Sequence, residues 1–207
     1  MVEPDPEFIS ARTMILPLAD GGRILVRPIV PSDRAELAEA VTKLSPRSRR
    51  LRFFQGKDEL TAEELRYLTD IDYRDHFAWV ARDPDADGQP GVGVARYVRL
   101  AGDENVAEPA VTVLDEYQHR GIGSLLFGLL AATAVDNGIR RFRGYVLDDN
   151  LTVLEGLDAD IRHEEPGVAT VDIPLPLDAD RYPSDTLRRL LKGVASGHIT
   201  PVFPPEP

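Results

Sequence analysis

Glu108-Pro-Ala-Val-Thr-Val-Leu-Asp-Glu-Tyr-Gln118-His-Arg-Gly121-Ile-Gly123-Ser-Leu-Leu126 is the most informative stretch of this 207-residue chain. An extended, β-branched run passes into a tight turn with two glycines spaced by one residue, and the turn opens directly into an apolar helix. The first backbone N–H groups of such a helix have no partner within it, and the positive end of the helix dipole stands behind them. This is an arrangement that receives phosphate. Gly121 and Gly123 remove side chains where an anion must approach the main chain, Arg120 adds a positive charge and Ser124 offers a hydroxyl. Two common phosphate motifs are excluded. A dinucleotide-binding turn needs a third glycine at position 126, which is Leu, and a P-loop needs Gly-Lys-Ser/Thr, which the chain lacks.

Upstream of this stretch, Asp20-Gly21-Gly22 is a turn that leads into a strand over residues 23–29, broken by Pro28 and Pro31. Ser32 or Asp33 then caps a helix of about ten residues. Ser45-Pro46 starts a second, arginine-rich helix, and Thr61 with Glu64 forms a capping box for a third. Residues 77–82 and 92–100 read as antiparallel strands joined by the turn Asp83-Pro-Asp-Ala-Asp-Gly-Gln-Pro90, and residues 110–114 complete a meander. The pattern Asp83, Asp85, Asp87 and Gly88 imitates the opening of a calcium loop, but Val94 stands where the twelfth-position Glu is required. Downstream, a helix over residues 123–136 ends at Asn137-Gly138 as a left-handed cap requires. A strand over 142–147, a short helix over 151–157 and an alternating strand over 168–175 follow. The order is mixed α/β, a meander feeding one strand-helix-strand crossover. No internal repeat is visible. A helix over 184–193 and a proline-rich tail close the chain.

Composition sets the outer bounds. Hydrophobic residues are 43% and charged residues 29% of the chain, which is the balance of one folded domain and not of a disordered segment. Lys plus Arg number 24 against 35 Asp plus Glu, a net charge of −11, so nucleic acid and anionic membrane surfaces are unlikely partners. With no Cys there is no disulfide, thiolate nucleophile or Cys-ligated zinc, and the four His show no ligand spacing, so no metal is expected. The acidic start Met1-Val-Glu-Pro-Asp-Pro-Glu7 is unlike a signal peptide, and the longest apolar run, residues 125–135, is shorter than the roughly 20 residues of a membrane helix. A cytoplasmic protein is the expectation.

Gln118-x-x-Gly121-x-Gly123 at a strand-to-helix junction resembles the Arg/Gln-x-x-Gly-x-Gly/Ala signature of the GNAT superfamily, the acetyl-CoA-dependent N-acetyltransferases. The element order from about residue 22 to 175 fits the same family. Leu44-Ser-Pro-Arg-Ser-Arg-Arg-Leu-Arg-Phe-Phe54 and Ile71-Asp-Tyr-Arg-Asp-His-Phe-Ala-Trp-Val-Ala81 are, more narrowly, similar to the catalytic domain of bacterial protein lysine acetyltransferases. The resemblance implies a mainly antiparallel central sheet with helices on both faces and a splayed strand pair at the cofactor site. It also implies a division into an acetyltransferase domain, residues 1–177, and a C-terminal helix and tail, residues 178–207.

Carried over by residue, the resemblance puts the CoA pyrophosphate on Gln118, His119, Arg120, Gly121, Ile122, Gly123 and Ser124, the pantetheine arm beside Val111 and Val113, and a cofactor contact at Asn150. Glu108 takes the place of the general base. The implied reaction is direct transfer of acetyl to an amine, a protein lysine first and a small amine second; a homodimer is compatible with the resemblance. One family feature is missing. The tyrosine that protonates the departing thiolate has no counterpart in residues 151–157, which leaves Tyr145 or water for that step and opens an alternative, an acyl-CoA-binding sensor with little catalysis.

Overall fold

The computed structural model describes residues 4–54 and 57–178. Its elements, in chain order, are α1 (Pro6–Ser10), β1 (Met14–Pro17), β2 (Arg23–Pro28), α2 (Arg34–Lys43), α3 (Pro46–Phe53), α4 (Ala62–Thr69), β3 (His76–Arg82), β4 (Gly91–Arg99), β5 (Val106–Val113), α5 (Ile122–Asp136), β6 (Arg141–Leu147), β7 (Asp160–Glu165) and β8 (Val168–Pro174). Among the described residues no helix is long and apolar enough to cross a membrane. The helix expected over 184–193 and the tail lie outside the described residues.

The strands form one eight-stranded sheet in the order β1-β2-β3-β4-β5-β6-β8-β7. All neighbours are antiparallel except β5 and β6, which are joined through α5 and run parallel. The mixed, mainly antiparallel sheet with helices on both faces is therefore as expected. Strand β3 is buried along nearly its whole length because both faces of the sheet are covered. On one face Leu125, Leu126, Leu129, Leu130 and Ala134 of α5 pack on Phe77, Trp79, Ala95 and Tyr97 to make the main core. Trp79 donates its indole N–H to the Thr133 hydroxyl at 3.1 Å, so its one polar atom is satisfied inside that core. On the opposite face a smaller core of Ile29, Ala78 and Val80 is covered by Leu37, Ile71 and Val94.

Start and stop signals act where they were read. Ser45 accepts from the Ser48 N–H, and Thr61 and Glu64 exchange both bonds of a capping box. Helix α5 stops at Asn137, with Gly138 at φ 82°. Three corrections stand beside these. The Asp33 side chain does not cap α2; it accepts from the Val30 N–H at 2.9 Å and from the Arg27 guanidinium at 2.7 and 2.5 Å, and Pro31–Asp33 forms a 3-10 turn ahead of the helix. Strand β5 begins at Val106 and not at 110, because the ladder with β4 carries through Glu108 and Pro109 although their polarity hides it. The short helix expected over 151–157 is a 3-10 segment, Asp148–Leu154.

Candidate active site

Strands β5 and β6 pair only at Val106 with Arg141 and at Ala107 with Phe142. Beyond that point the two strands part. Pro109 supplies no N–H where the ladder would continue, and Gly144 stands beside it, a position whose Cβ would come within 3.7 Å of the proline ring. The parting leaves an edge of β5 open and forms a cleft of about 580 Å³. Its walls are β5, α3, the start of α5 and the 3-10 segment after β6. The splayed strand pair is thus present.

The glycine turn closes one end of this cleft. His119 and Gly121 both adopt left-handed backbone, φ 61° and 82°, which swings the chain from the 3-10 turn Asp115–Tyr117 into α5. Gly121, Ile122, Gly123 and Ser124 border the cleft with the first turn of α5, whose amides are free of intrahelical partners. Ile122 contributes backbone only, since its side chain is in the core. The Gln118 amide donates to the Val113 carbonyl at 3.0 Å and to the Ser48 hydroxyl at 3.3 Å, so its side chain braces the turn and leaves its main chain to a ligand. Asp115, just before it, accepts from the Ser45 N–H and from the hydroxyls of Ser45 and Ser48 at 2.7 to 2.9 Å, pinning the start of α3 to the turn. Burial opposes ionisation of Asp115, but these donors outweigh it and hold the carboxyl below its usual range.

Of the residues singled out from the sequence, Glu108, Val111, Val113, Gln118, His119, Gly121, Ile122, Gly123, Ser124 and Asn150 all border the one cleft. Arg120 does not. Its guanidinium pairs with Asp20 at 2.6 Å and lies 5.7 Å from the Tyr117 ring, so the charge expected to serve phosphate is committed to the turn before β2. Val111 and Val113 turn their side chains toward α5 and present backbone to the splay. Glu108 is exposed, and its register with Val98, and through it with His76, places it on the α3 face of the sheet.

That face carries Arg96, which the motif reading passed over, and gives a place to others that the sequence marks only loosely. Arg96, 5% exposed, donates to the Leu68 carbonyl at 3.0 Å and meets His76 Nε2 at 3.1 Å; a guanidinium can only donate, so this nitrogen of His76 is unprotonated. Burial first, and then the charge of Arg96, push His76 down to about 4. Arg52 of α3 lies between the cleft and a small cavity of about 70 Å³ beneath α2 and α3, where Arg96 forms part of the wall. Burial lowers Arg52 while the charge of Glu108 acts the other way. Tyr145, 55% exposed, and Phe54, in left-handed backbone at the end of α3, also border the cleft. The sequence marks Arg52 as one of four arginines on a helix, with Arg47, Arg49 and Arg50; what distinguishes it is its place on the cleft with Glu108, which no local pattern reports.

Residues 44–155 match the Acetyltransferase (GNAT) family. The chain belongs to that family. This GNAT chain is 36% identical over 154 residues to Acetyltransferase Pat of Mycolicibacterium smegmatis, a match that covers 73% of this chain and 45% of that protein. It is 35% identical over 124 residues to an acetyltransferase of Pseudomonas aeruginosa, covering 60% and 66% of the two. The chain thus spans about half to two thirds of the length of these relatives. Among solved structures, the GNAT domain of PAT from S. lividans superposes with a TM-score of 0.70 at 29% identity, over 79% of this chain and 97% of that one.

Proposed function

We propose that this GNAT chain is an acetyl-CoA-dependent N-acetyltransferase that passes acetyl directly to an amine, with protein lysine as the favoured acceptor. The observation that carries the reading is convergence: a phosphate-receiving turn, an open strand edge and a carboxylate on one cleft. The turn from Gln118 to Ser124 binds the pyrophosphate, the edge at Val111 and Val113 pairs with the pantetheine amides as an added strand would, and Asn150 supports the arm from the far wall. The matches to Acetyltransferase Pat and to the GNAT domain of PAT support acetyl transfer, and the resemblance of residues 44–54 and 71–81 to protein lysine acetyltransferases supports the choice of acceptor.

The chemistry follows from what the chain has and lacks. The chain has no Cys for a thiol acyl-enzyme, in keeping with the direct attack of the amine on the thioester that the family resemblance implies. A lysine ammonium has a pKa of about 10.4 and must lose a proton first; Glu108 accepts it. The N–C bond forms as the C–S bond breaks, a backbone N–H of β5 steadies the carbonyl oxygen, the thiolate takes a proton from Tyr145 or water, and the proton that the nitrogen sheds on becoming an amide restores that donor. We assign this activity to residues 1–177.

Release of CoA thiol from acetyl-CoA in the presence of lysine peptides, with wild type beside Glu108→Gln, tests the reading. The expected outcome is turnover on peptides and a roughly 10²- to 10³-fold fall in kcat for the variant with acetyl-CoA affinity retained. Turnover on small amines alone would move the acceptor. Tight acetyl-CoA binding without transfer to any amine would favour the sensor reading, for which the lack of tyrosine in the segment Asp148–Leu154 is the supporting observation.

A further inference from the structure

The chain carries a large excess of carboxylates, and most arginines near its strands and loops have found one: Arg23, Arg27, Arg34, Arg82, Arg99, Arg120, Arg143 and Arg162 all stand in ion pairs. Helix α3 behaves differently. Arg49 and Arg50 pair with Asp58 and Asp149, whereas Arg52, which faces the cleft, has neither an ion pair nor a hydrogen bond among the described residues. It is half-buried, with the ring of Phe53 5.1 Å from its guanidinium carbon. The charge of Glu108 acts on it only through space, without an ion pair, and nearby Arg96, which donates to the Leu68 carbonyl and meets the His76 ring, brings no negative charge. A partly desolvated guanidinium facing an open cleft in so acidic a chain is matched by a carboxylate that arrives with a ligand.

Position decides which ligand. Asp115 pins the first turn of α3 to the phosphate turn, so the helix, about 12 Å long at 1.5 Å per residue, runs from the phosphate end of the cleft back toward Glu108. Arg52 is in its last turn, on the face that carries Glu108, Ala110 and Thr112 and away from the glycine turn. It therefore stands where the amine reacts and not where the cofactor phosphates bind. Arg47, one and a half turns earlier on the same helix, is nearer the phosphate turn and is the candidate for cofactor contact instead.

We propose that Arg52 is the residue through which the cleft selects its acceptor, pairing with a carboxylate beside the reacting amine, so that the preferred substrates are lysines flanked by an acidic residue. This inference rests on the acetyl-transfer reading and names its substrate class. A bare ammonium is repelled by Arg52, while an acidic neighbour neutralises the guanidinium and leaves the amine free for Glu108. The overall negative charge would favour basic acceptors at long range; the local charge at the reacting end selects the opposite.

Three blocked synthetic peptides that differ only in the residue before a single lysine, Glu, Gln or Arg, test it against wild type, Arg52→Gln, Arg52→Lys and Arg52→Glu. For wild type kcat/KM is expected to be roughly tenfold higher with Glu than with Gln and lower again with Arg, mainly through KM, and the spread is expected to shrink as salt is raised. Arg52→Lys should keep the order, Arg52→Gln should bring the Glu-to-Gln ratio near one, and Arg52→Glu should invert it. Turnover by wild type with no discrimination among the peptides overturns the proposal alone. So does an equal fall on all three peptides in Arg52→Gln with the ratio intact, which would make Arg52 a positioning residue for Glu108. No turnover on any peptide, with acetyl-CoA bound, overturns the acetyl-transfer reading and this inference with it.

Discussion

The two glycines of the phosphate turn are not equally constrained. Gly121 has φ 82° and open space around the position of a Cβ, so its constraint is the backbone. Gly123 has helical backbone, and a Cβ there would meet Val113 at 3.7 Å and Val111 at 4.0 Å, which is ordinary contact. It is the less constrained of the two, in keeping with the Ala that the signature allows at this place. Gly121→Ala is expected to lower the melting temperature by a few degrees, from a left-handed penalty of about 1 kcal/mol. Gly123→Ala should melt at the wild-type temperature or slightly above it and keep an acetyl-CoA affinity close to wild type, whereas Gly121→Ala loses both; scanning calorimetry and titration calorimetry on the two variants separate the cases. His76 makes a second prediction at this scale. Its pKa is lowered by burial and by Arg96, with Asp72 acting against them, so between its ordinary value and about 4 the unfolded chain binds a proton that the folded chain refuses. Stability is then present in full above pH 6.5 and is lost as pH falls toward 4, by on the order of 1–3 kcal/mol. Denaturant melts of wild type and His76→Gln across pH 4.5 to 7.5 should show this slope in the first and a shallower one in the second.

Helix α3 shows how one side chain fixes an element. Asp115 accepts three hydrogen bonds from Ser45 and Ser48, and those bonds couple the arginine-rich helix to the turn that receives phosphate. Asp115→Ala should cost about 1–2 kcal/mol in urea denaturation, and because it frees both the turn and the helix it should weaken acetyl-CoA and acceptor binding together. Asp115→Asn, which keeps an acceptor oxygen, should recover part of each. Elements with strong local chemistry were legible in the sequence: the Ser45 cap, the Thr61 and Glu64 box, the 83–90 turn, and α5 with its glycine ends. Those held by pairing alone were not. Helix α1 has five residues and shows no period, β1 has four and ends on a proline, and β7 reads Asp-Ile-Arg-His-Glu-Glu, an edge strand with no alternation to see. Arg96 was hidden for the same reason, since Leu68 and His76 are 28 and 20 residues away in the chain, and Arg52 was legible only as a member of the arginine cluster.

Across the whole molecule, the parting of β5 from β6 is what turns a sheet into a binding surface. Nearly every neighbour pair in the sheet is antiparallel and continuous; the one parallel pair holds for two residue pairs and opens. The cleft was anticipated because the glycine turn announces a ligand at the end of β5, but its second wall, α3, could be assigned only once the register placed Glu108 and Arg52 on one face. The single tryptophan adds a practical consequence. Trp79 is sealed between β3 and α5, with its indole N–H on Thr133 and its ring 5.3 Å from that of Phe77, and it does not border the cleft. Its fluorescence is therefore an internal gauge of the core's integrity, blind to occupancy of the site: emission should shift to the red when the core opens and stay in place when acetyl-CoA is added. The protein thus carries its own control for every binding variant described above, since a mutant that has lost affinity but keeps the wild-type emission maximum has kept its fold.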